Sequence, residues 1–397
     1  MRTLDLFAGI GGLSLAAEEA GMEIVGHCEI DPFCQQILQA RWPDVEMIAD
    51  VREVHYEPGQ IEVVCGGFPC QDLSVAGRQA GLGGERSGLW FEMLRVVREA
   101  QPTWVVAENV RGAVNNALDV VCAGLGAAGY EVWPFVLPAS AVGAPHKRER
   151  LFVLGCRVDE ADWLLSMEMP EADPEAGEWP LHQEFWPTPR VSRAGKLSAA
   201  KWLARQDTLP EKYGMPLQIA AQIAQWPTPR ATEYKGVGPI GSSSHKFRLD
   251  KHYLDATVQE AEKVTGRLNP DWVELLMGFP QGWTDPNVAT EDLPKWWGWP
   301  AGPQETLWAT PAGMLCDPGD PEIWEARKKI YPNNGKPIGI QAQQNAGAAQ
   351  FNYEPPRLTE RKQYRAKRIK ALGNAVVPAQ AAPFFRAIAV LEGIADD

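Results

Sequence analysis

The fold class is decided by a glycine-rich stretch near the N-terminus, Asp5-Leu6-Phe7-Ala8-Gly9-Ile10-Gly11-Gly12. The stretch joins an apolar, β-rich run at residues 3–7 to residues 13–20, where the apolar positions have helical spacing. Glycines in such a strand-to-helix turn let the backbone approach a ligand closely. Tight turns that bind no ligand use the same glycines, so the stretch by itself leaves both possibilities open.

The alternation of strand and helix continues along the chain. Apolar runs at residues 24–28, 61–65, 104–107 and 151–154 predict strands, and residues 33–40 and 89–100 predict helices. This pattern predicts an α/β fold, a doubly wound, mostly parallel sheet with helices on both faces. The helical period of residues 379–394 predicts a last helix that packs back on this domain. In such sheets, ligands bind beyond the carboxyl ends of the strands.

The composition excludes several classes of protein. The chain has 397 residues, of which 45% are hydrophobic and 22% are charged, the balance of a soluble globular protein of two or three domains. No uncharged apolar run is long enough for a membrane helix, so no membrane partner is expected. Seven cysteines without a CxxC pair or a His/Cys ligand spacing predict neither a metal site nor a disulfide framework, and they favour the cytoplasm.

Charge is distributed unevenly along the chain. The net charge is −13, which by itself argues weakly against nucleic acid. However, residues 185–251 carry 11 Lys/Arg against 4 Asp/Glu, and residues 353–372 carry 7 against 2, so polyanion contact is expected at these segments. The first segment contains two copies of Trp-Pro-Thr-Pro-Arg, at 186–190 and 226–230. They are either packing elements or duplicated units of a recognition surface.

Two carboxylates follow predicted strands near the glycine-rich turn. Glu29 lies at the end of the second strand, where a carboxylate suits a ribose diol. Asp50 follows a third potential strand and could accept a hydrogen bond from an adenine amino group. Together with the turn, these residues predict a cofactor that contains adenosine.

Further candidates point to chemistry at the same sheet edge. The loop Pro69-Cys70-Gln71 follows the strand at 61–65 and precedes a glycine-rich stretch, 77–88, that is typical of a mobile lid. Its cysteine is either a nucleophile or a small buried hydrophobe. Glu108 ends an apolar strand, where partial desolvation would raise its pKa, although a cap or a surface acid is the simpler interpretation. Arg148 and Arg150 lie two apart at the start of a strand and are predicted to share one side.

Taken in order, these motifs resemble the C5-cytosine DNA methyltransferases. The matching blocks are residues 7–12, Glu29, Asp50, Pro69-Cys70-Gln71, Glu108-Asn109-Val110, Arg148-x-Arg150, Arg267-Leu268-Asn269-Pro270 through Gly278-Phe279-Pro280, and Gly373-Asn374-Ala375-Val376-Val377-Pro378. The resemblance covers residues 1–156, 267–284 and the tail from 371, and the Trp-Pro-Thr-Pro texture elsewhere is similar to phage-type members. One position departs from the pattern, because His146 stands where this family usually has Gln.

The resemblance implies a domain organisation and a cofactor. Residues 1–156 plus 371–397 would form a domain with the S-adenosylmethionine-dependent methyltransferase fold. Residues 157–370, including the supporting block 267–284, would form a second, irregular target-recognition domain. The cofactor would be S-adenosylmethionine. The residues implied to bind it are Phe7, Gly9, Gly11, Glu29, Ile30, Asp50, Pro69, Asn374 and Ala375.

The resemblance also implies a reaction, methyl transfer to C5 of a cytosine flipped out of a specific duplex DNA sequence. Cys70 would bond to C6, Glu108 would donate to N3, and Arg150 would hold O2 and orient Glu108, with Arg148 supporting that network or the lid. Contacts with double-stranded DNA are expected from Gln71, Ser74, Arg86, Arg190 and Arg230. A cytoplasmic monomer of a restriction-modification system, without a metal, is the resulting expectation.

Three other functions are compatible with parts of the sequence. A transfer RNA cytosine methyltransferase would share every catalytic residue, but RNA-acting relatives tend to have a smaller variable region. A nicotinamide-dependent oxidoreductase would use the glycine-rich turn but leaves Cys70 and Glu108 unexplained. A non-catalytic DNA-binding relative would not need that cysteine and that glutamate.

Overall fold

The computed structural model describes residues 1–69, 88–115, 117–142, 144–158, 226–293 and 355–394. A seven-stranded sheet forms its centre, in the order β3-β2-β1-β4-β5-β7-β6. The strands are β1 (Arg2–Leu6), β2 (Glu23–Cys28), β3 (Glu46–Ile48), β4 (Val63–Gly67), β5 (Trp104–Val110), β6 (Tyr130–Pro138) and β7 (Glu149–Arg157). All neighbouring pairs are parallel except those of β7, which runs antiparallel to both β5 and β6. The predicted mostly parallel sheet is thereby confirmed.

Helices connect the strands and cover the sheet. They are α1 (Gly12–Glu19), α2 (Pro32–Arg41), α3 (Gly88–Ala100), α4 (Leu118–Gly126), α5 (Ser243–Asp250), α6 (Leu254–Glu262), α7 (Pro270–Met277), α8 (Arg365–Asn374) and α9 (Pro378–Leu391). A two-stranded ladder joins β8 (Arg267–Leu268) to β9 (Leu358–Thr359). Among the described residues, no single helix is long and apolar enough to cross a membrane, although the bent pair α8–α9 meets that test by length and composition.

The sheet separates two hydrophobic cores because successive side chains of a strand point to opposite faces. Leu4 and Leu6 of β1 pack into one core, together with Trp90 of α3. Val63 and Cys65 of β4 pack into the other, which α1, α2 and α9 cover. The central strands are apolar on both faces for this reason, which is why their sequences read as continuous hydrophobic runs.

The edge strand β6 was missed by the sequence analysis, which predicted no strand between residues 107 and 151. Pro134 and Pro138 lie within this strand. Proline cannot donate to a ladder, and an edge strand tolerates it because only one side is paired. β7 is also longer than predicted, since its pairing with both neighbours extends over Glu149–Arg157.

The C-terminal part of the chain packs on the first core. The last helix, α9, lies against α1, as predicted, and Arg386 forms an ion pair with Glu19. Trp283, which follows α7, donates from its indole nitrogen to the carbonyl of Ile10 at 2.8 Å. Arg41 at the end of α2 holds the same loop through its backbone carbonyls, including that of Trp283. Residues 267–284 therefore share the core of the sheet domain, while the domain boundary at 156/157 stays a prediction.

Candidate active site

The carboxyl edge of the sheet brings the predicted cofactor residues together. The backbone nitrogen of Ala8 donates to the carbonyl of Cys28, and the backbone nitrogen of Glu29 donates to the carbonyl of Ile48. The ends of β1, β2 and β3 therefore lie side by side. Pro69 is exposed just beyond β4, in line with this edge. The placement agrees with the rule that open α/β sheets bind ligands there.

The glycine-rich turn adopts left-handed backbone conformations at Phe7, Gly9 and Gly11, with φ of 56°, 57° and 79°. A Cβ built on Gly9 would meet no atom within 4 Å, which leaves that backbone open to a ligand. A Cβ on Gly11 would lie 2.5 Å from the Trp42 ring. Gly9 therefore suits ligand approach, whereas packing requires Gly11.

Glu29 lies beside this open backbone. Its carboxylate accepts from the Gly9 nitrogen at 2.8 Å and from the Asp31 nitrogen at 2.7 Å. Burial raises the pKa of Glu29, and these two donors offset part of that rise. Ile30, the next residue, is 72% exposed. An apolar side chain left open next to a fixed carboxylate fits a nucleoside, whose base is flat and whose ribose carries a diol.

Asp50 has a partner of its own on the chain. Its carboxylate accepts from the backbone and the guanidinium of Arg52, the shortest contact being 2.6 Å, and this hydrogen bonding lowers the pKa of Asp50. The side chain is thus fixed as an acceptor at the end of β3. Its contact with an adenine amine stays a prediction.

The C-terminal motif closes the opposite side of the turn. Asn374 is exposed at the end of α8, and Ala375 follows it in a buried, extended conformation. A Cβ on Gly12 would lie 2.8 Å from the carbonyl oxygen of Val376. The absence of a side chain at Gly12 therefore lets the motif approach the turn, although the two are more than 360 residues apart in the sequence.

A buried polar network supports the turn from below. Asp5 accepts from both the hydroxyl and the backbone nitrogen of Ser14, at 2.6 and 3.2 Å, and the same hydroxyl lies 2.9 Å from the His27 ring. Burial raises the pKa of Asp5 to about 7 and lowers that of His27 to about 4. This network fixes the first turn of α1, the helix that begins at Gly12.

Glu108 and Arg150 form the central charged pair of the site. They lie on adjacent antiparallel strands, and Arg150 Nε donates to Glu108 Oε1 at 2.8 Å, with both side chains only 12% exposed. Burial raises the pKa of Glu108, while Arg150 and Arg148 lower it by their charge. A Cβ on Gly67 would lie 2.9 Å from the other Glu108 oxygen, so glycine at this position makes room for the carboxyl.

Asn109 lies in the matching block Glu108-Asn109-Val110, but the sequence analysis gave it no role. Its side-chain nitrogen donates to the carbonyl of Phe68 at 2.9 Å, and its side-chain oxygen accepts from the nitrogen of Val110. It therefore fixes the backbone two residues before Cys70. The sequence did contain one indication of this contact. Asn109 follows Glu108 on β5, the strand that pairs with β4, so it lies near the loop after β4.

The two arginines of the block have different partners, and their sharing of one side stays a prediction. Arg148 precedes β7 and has a positive φ of 28°, so the alternation of a strand does not apply to it. Its guanidinium is buried and donates to backbone carbonyls of Pro229, Gly373 and Ala375, whereas Arg150 turns to Glu108. Arg148 is therefore a positioning residue and only Arg150 contacts the acid.

His146, at the position where Gln was expected, is fully buried. Its Nε2 donates to the carbonyl of Leu276 at 3.0 Å, and its backbone pairs with Trp226. Burial lowers the pKa of His146 to about 3, so the ring is neutral. The imidazole thus ties the loop before β7 to α7.

Of the predicted DNA contacts, Arg230 lies in the described part of the chain. It is exposed, and its guanidinium stacks on the Tyr253 ring at 4.4 Å. The second Trp-Pro-Thr-Pro-Arg copy packs through its other residues, since Trp226 contacts Trp272 edge-on and Pro229 is buried. Outside the described residues lie Cys70, Gln71, Ser74, Arg86, Arg190, most of the glycine-rich stretch 77–88 and the first repeat copy.

Comparison with known proteins identifies the family. The family model for C-5 cytosine-specific DNA methylases matches residues 1–293. The type II methyltransferase M2.BsuMI of Bacillus subtilis is 28% identical over 308 residues, which are 73% of this chain and 67% of that protein. M.Sau96I of Staphylococcus aureus is 34% identical over 304 residues, 70% of this chain and 68% of that protein. M.Eco47II of Escherichia coli is 38% identical over 167 residues, 40% of each chain.

The mostly parallel, seven-stranded sheet covered by helices is that of the S-adenosylmethionine-dependent methyltransferase fold. Within that class, the chain belongs to the C-5 cytosine-specific DNA methylases and is a DNA (cytosine-5-)-methyltransferase. The family match disfavours the transfer RNA alternative and the nicotinamide-dependent oxidoreductase.

Proposed function

We propose that Cys70 is the nucleophile of this methyltransferase and that the Glu108–Arg150 pair activates the target cytosine. The observation that carries the proposal is the burial of this pair beside Gly67, three residues before Cys70 in the sequence. Cytosine C5 is a poor nucleophile, and a thiolate that adds to C6 makes it electron-rich. A thiolate forms readily enough near neutral pH for cysteine to serve in this role.

The buried glutamate supplies the proton that this addition needs. Burial favours the protonated form of Glu108, which can donate to N3 of the ring as negative charge develops there. Arg150 holds Glu108 in position and has further guanidinium nitrogens for O2 of the base. When the proton on C5 leaves, the bond between Cys70 and C6 breaks and the thiolate returns.

The residues at the sheet edge fit S-adenosylmethionine, which supplies the methyl group when bound. The open backbone of Gly9, the fixed carboxylate of Glu29 and the exposed Ile30 are the observations that support this fit. Phe7, Asp50, Pro69, Asn374 and Ala375 complete the proposed set. Gly11 belongs to it through the shape of the turn, since its Cβ position is filled by Trp42.

The substrate is proposed to be a specific duplex DNA sequence, with the target base flipped out, because a stacked base cannot reach a buried acid. The relatives are bacterial type II methyltransferases, which supports a restriction-modification role in a bacterial or phage-infected cytoplasm. Gln71, Ser74, Arg86, Arg190 and Arg230 are the proposed DNA contacts. The protein is proposed to act as a monomer.

Two linked experiments test the proposed function. Bisulfite sequencing of DNA from cells that express the chain should reveal one methylated sequence context, absent from cells that express Cys70→Ser. A duplex with 5-fluorocytosine at that site should trap the wild type covalently, because fluorine cannot leave C5 as a proton does. The Cys70→Ser protein should still bind S-adenosylhomocysteine. Methylation by that variant would contradict the nucleophile assignment.

A further inference from the structure

Two distant segments of the chain meet on the side chain of Arg148. Its Nη1 donates to the carbonyl of Pro229 at 3.0 Å, in the second Trp-Pro-Thr-Pro-Arg copy. Its Nη2 donates to the carbonyls of Gly373 and Ala375, in the motif beside the proposed cofactor site. The residue is only 3% exposed, so these carbonyls have little water to replace a lost donor.

The backbone of Arg148 is held as firmly as its side chain. Its nitrogen donates to the hydroxyl oxygen of Thr228 at 3.1 Å. Its carbonyl accepts from the Gln380 side chain of α9 at 2.9 Å. Thr228 therefore binds the backbone nitrogen of Arg148, and Pro229 binds its guanidinium. A shift of residues 228–229 must move the guanidinium or break these hydrogen bonds.

Two glycines allow close backbone contacts that connect the surroundings of Arg148 to the glycine-rich turn. A Cβ on Gly373 would lie 2.1 Å from the nitrogen of Ala231, so the two backbones touch directly. A Cβ on Gly12 would meet the carbonyl of Val376 at 2.8 Å. Tight backbone contacts thus run from residues 228–231, through 373–376, to the proposed cofactor loop, and close-packed contacts of this kind transmit displacement.

We propose that Arg148 is a positioning residue that couples DNA binding at residues 226–235 to cofactor binding at the glycine-rich turn. The proposal rests on the proposed function, because it takes the cofactor and DNA sites from there. A ligand that fixes residues 373–376 also fixes the carbonyls to which Arg148 donates. The arginine is then less mobile, and so are Thr228 and Pro229, to which it is hydrogen-bonded. By linkage, DNA that orders residues 226–235 must then tighten cofactor binding by the same factor.

The test is hydrogen exchange of the backbone amides with and without S-adenosylhomocysteine, which needs no knowledge of the DNA site. The informative amides are those of Trp226, Glu233 and Gly236. Their nitrogens donate to the carbonyls of Pro145, Arg230 and Glu233, respectively. In the wild type, bound S-adenosylhomocysteine should slow their exchange by about fivefold or more, the lower end of typical coupling factors.

Thr228→Val is the main variant, because valine keeps the shape but cannot accept from the Arg148 nitrogen. It should bind S-adenosylhomocysteine with nearly unchanged affinity but lose most of the slowing at residues 226–236. Thr232→Val is the matched control, since this threonine is an exposed residue of the neighbouring 3-10 turn, and it should behave like the wild type. Arg148→Lys is the second variant, because a single ammonium cannot reach all three carbonyls.

The outcomes separate the coupling from a merely structural role. Thermal unfolding first shows that the wild type, Thr228→Val and Arg148→Lys are all folded. If S-adenosylhomocysteine then slows amide exchange at residues 226–236 equally in all three proteins, the proposal is overturned. A wild type that binds S-adenosylhomocysteine without any slowing at residues 226–236 would overturn it as well. A wild type that does not bind S-adenosylhomocysteine would contradict the proposed function itself and, with it, this coupling.

Discussion

At the residue scale, the proposed chemistry depends on one carboxyl group that is held in a buried position. Glu108 gains a raised pKa from burial but keeps a cationic neighbour, Arg150, at 2.8 Å. The two effects oppose each other, so the acid can hold a proton without losing its orientation. Gly67 makes this possible, because any larger residue would occupy the volume of the Glu108 carboxyl.

We expect Glu108→Gln to slow methyl transfer while leaving DNA binding nearly unchanged. The amide keeps the shape but cannot give a proton to N3, and general acids typically contribute on the order of 10²–10⁴ in rate. Single-turnover methylation with radiolabelled cofactor, together with a DNA-binding titration, measures both quantities. Glu149→Gln is the matched control, because this acid pairs with Lys147 on the other side of the strand start. A loss below about tenfold would make Glu108 structural.

We expect Asp5 to make stability depend on pH. Its pKa is about 7 in the folded protein, against about 4 when unfolded, so the folded state alone keeps the proton between these values. The free energy of unfolding should therefore fall as pH rises from about 4 to about 7, by at most about 4 kcal/mol. Asp5→Asn should make this fall smaller, whereas Glu233, whose pKa burial also raises to about 7, contributes a fall of the same sign that the variant keeps. Urea unfolding at several pH values measures it, and Asp44→Asn, an exposed site, should leave the pH profile as in the wild type.

At the element scale, the second repeat copy and the short helices after it form a compact recognition segment on the sheet domain. Glu233 accepts from the nitrogens of Arg230 and Leu254, and so joins the 3-10 turn Ala231–Lys235 to α6. Arg365 of α8 donates to the carbonyl of Tyr234. The segment is thus held by its own hydrogen bonds through Glu233 and by the contact with Arg365 of α8. The exposed side of residues 230–251 stays open for a partner.

Two arginines stack on Tyr253, and we expect them to have different functions. Arg248 pairs with Asp255 at 2.6 Å, whereas the Arg230 guanidinium forms no ion pair within the described residues and donates to the carbonyl of Lys251 instead. Arg230→Ala should weaken binding to all DNA sequences alike and flatten the salt dependence by about one unit, if it contacts a phosphate. Arg248→Ala should instead lower the melting temperature. Salt titrations of DNA affinity and thermal unfolding of both variants test this, and unchanged affinity in Arg230→Ala would exclude the phosphate contact.

At the scale of the whole molecule, the sheet domain carries the chemistry and residues 185–251 are proposed to choose the DNA sequence. The segment is basic on an acidic protein, which suits phosphate attraction. The ties to Arg148 and Arg365 lie in the sheet domain and on α8, outside the segment. Where the region docks through backbone carbonyls its sequence is free to change, whereas Thr228 and Trp226, which dock through their side chains, must be kept.

We expect transplantation of residues 185–251 into a relative such as M.Sau96I to transfer the methylated sequence. The docking contacts use backbone carbonyls of Pro229 and Tyr234, so they survive the exchange if the host has equivalent arginines. Methylation of a randomised duplex library, read by bisulfite sequencing, identifies the target of the chimera. The reverse exchange is the control. A folded, active chimera that keeps the host's target would point to residues 285–366 as the specificity region.

The sequence by itself determined the sheet, its central strands and the order of the motifs, because apolar periodicity and glycine-rich turns are local properties. It also placed Glu29 and Glu108 at strand ends, where chain direction alone brings them to one edge. Only the tertiary structure decided that Arg148 binds backbone carbonyls of Pro229, Gly373 and Ala375 while Arg150 binds Glu108, because these partners come from segments far away in the sequence. It likewise decided that Gly373 touches Ala231 and that Asn109 holds the Phe68 carbonyl. These contacts join residues up to 227 positions apart, and no local pattern encodes which backbone groups they will meet.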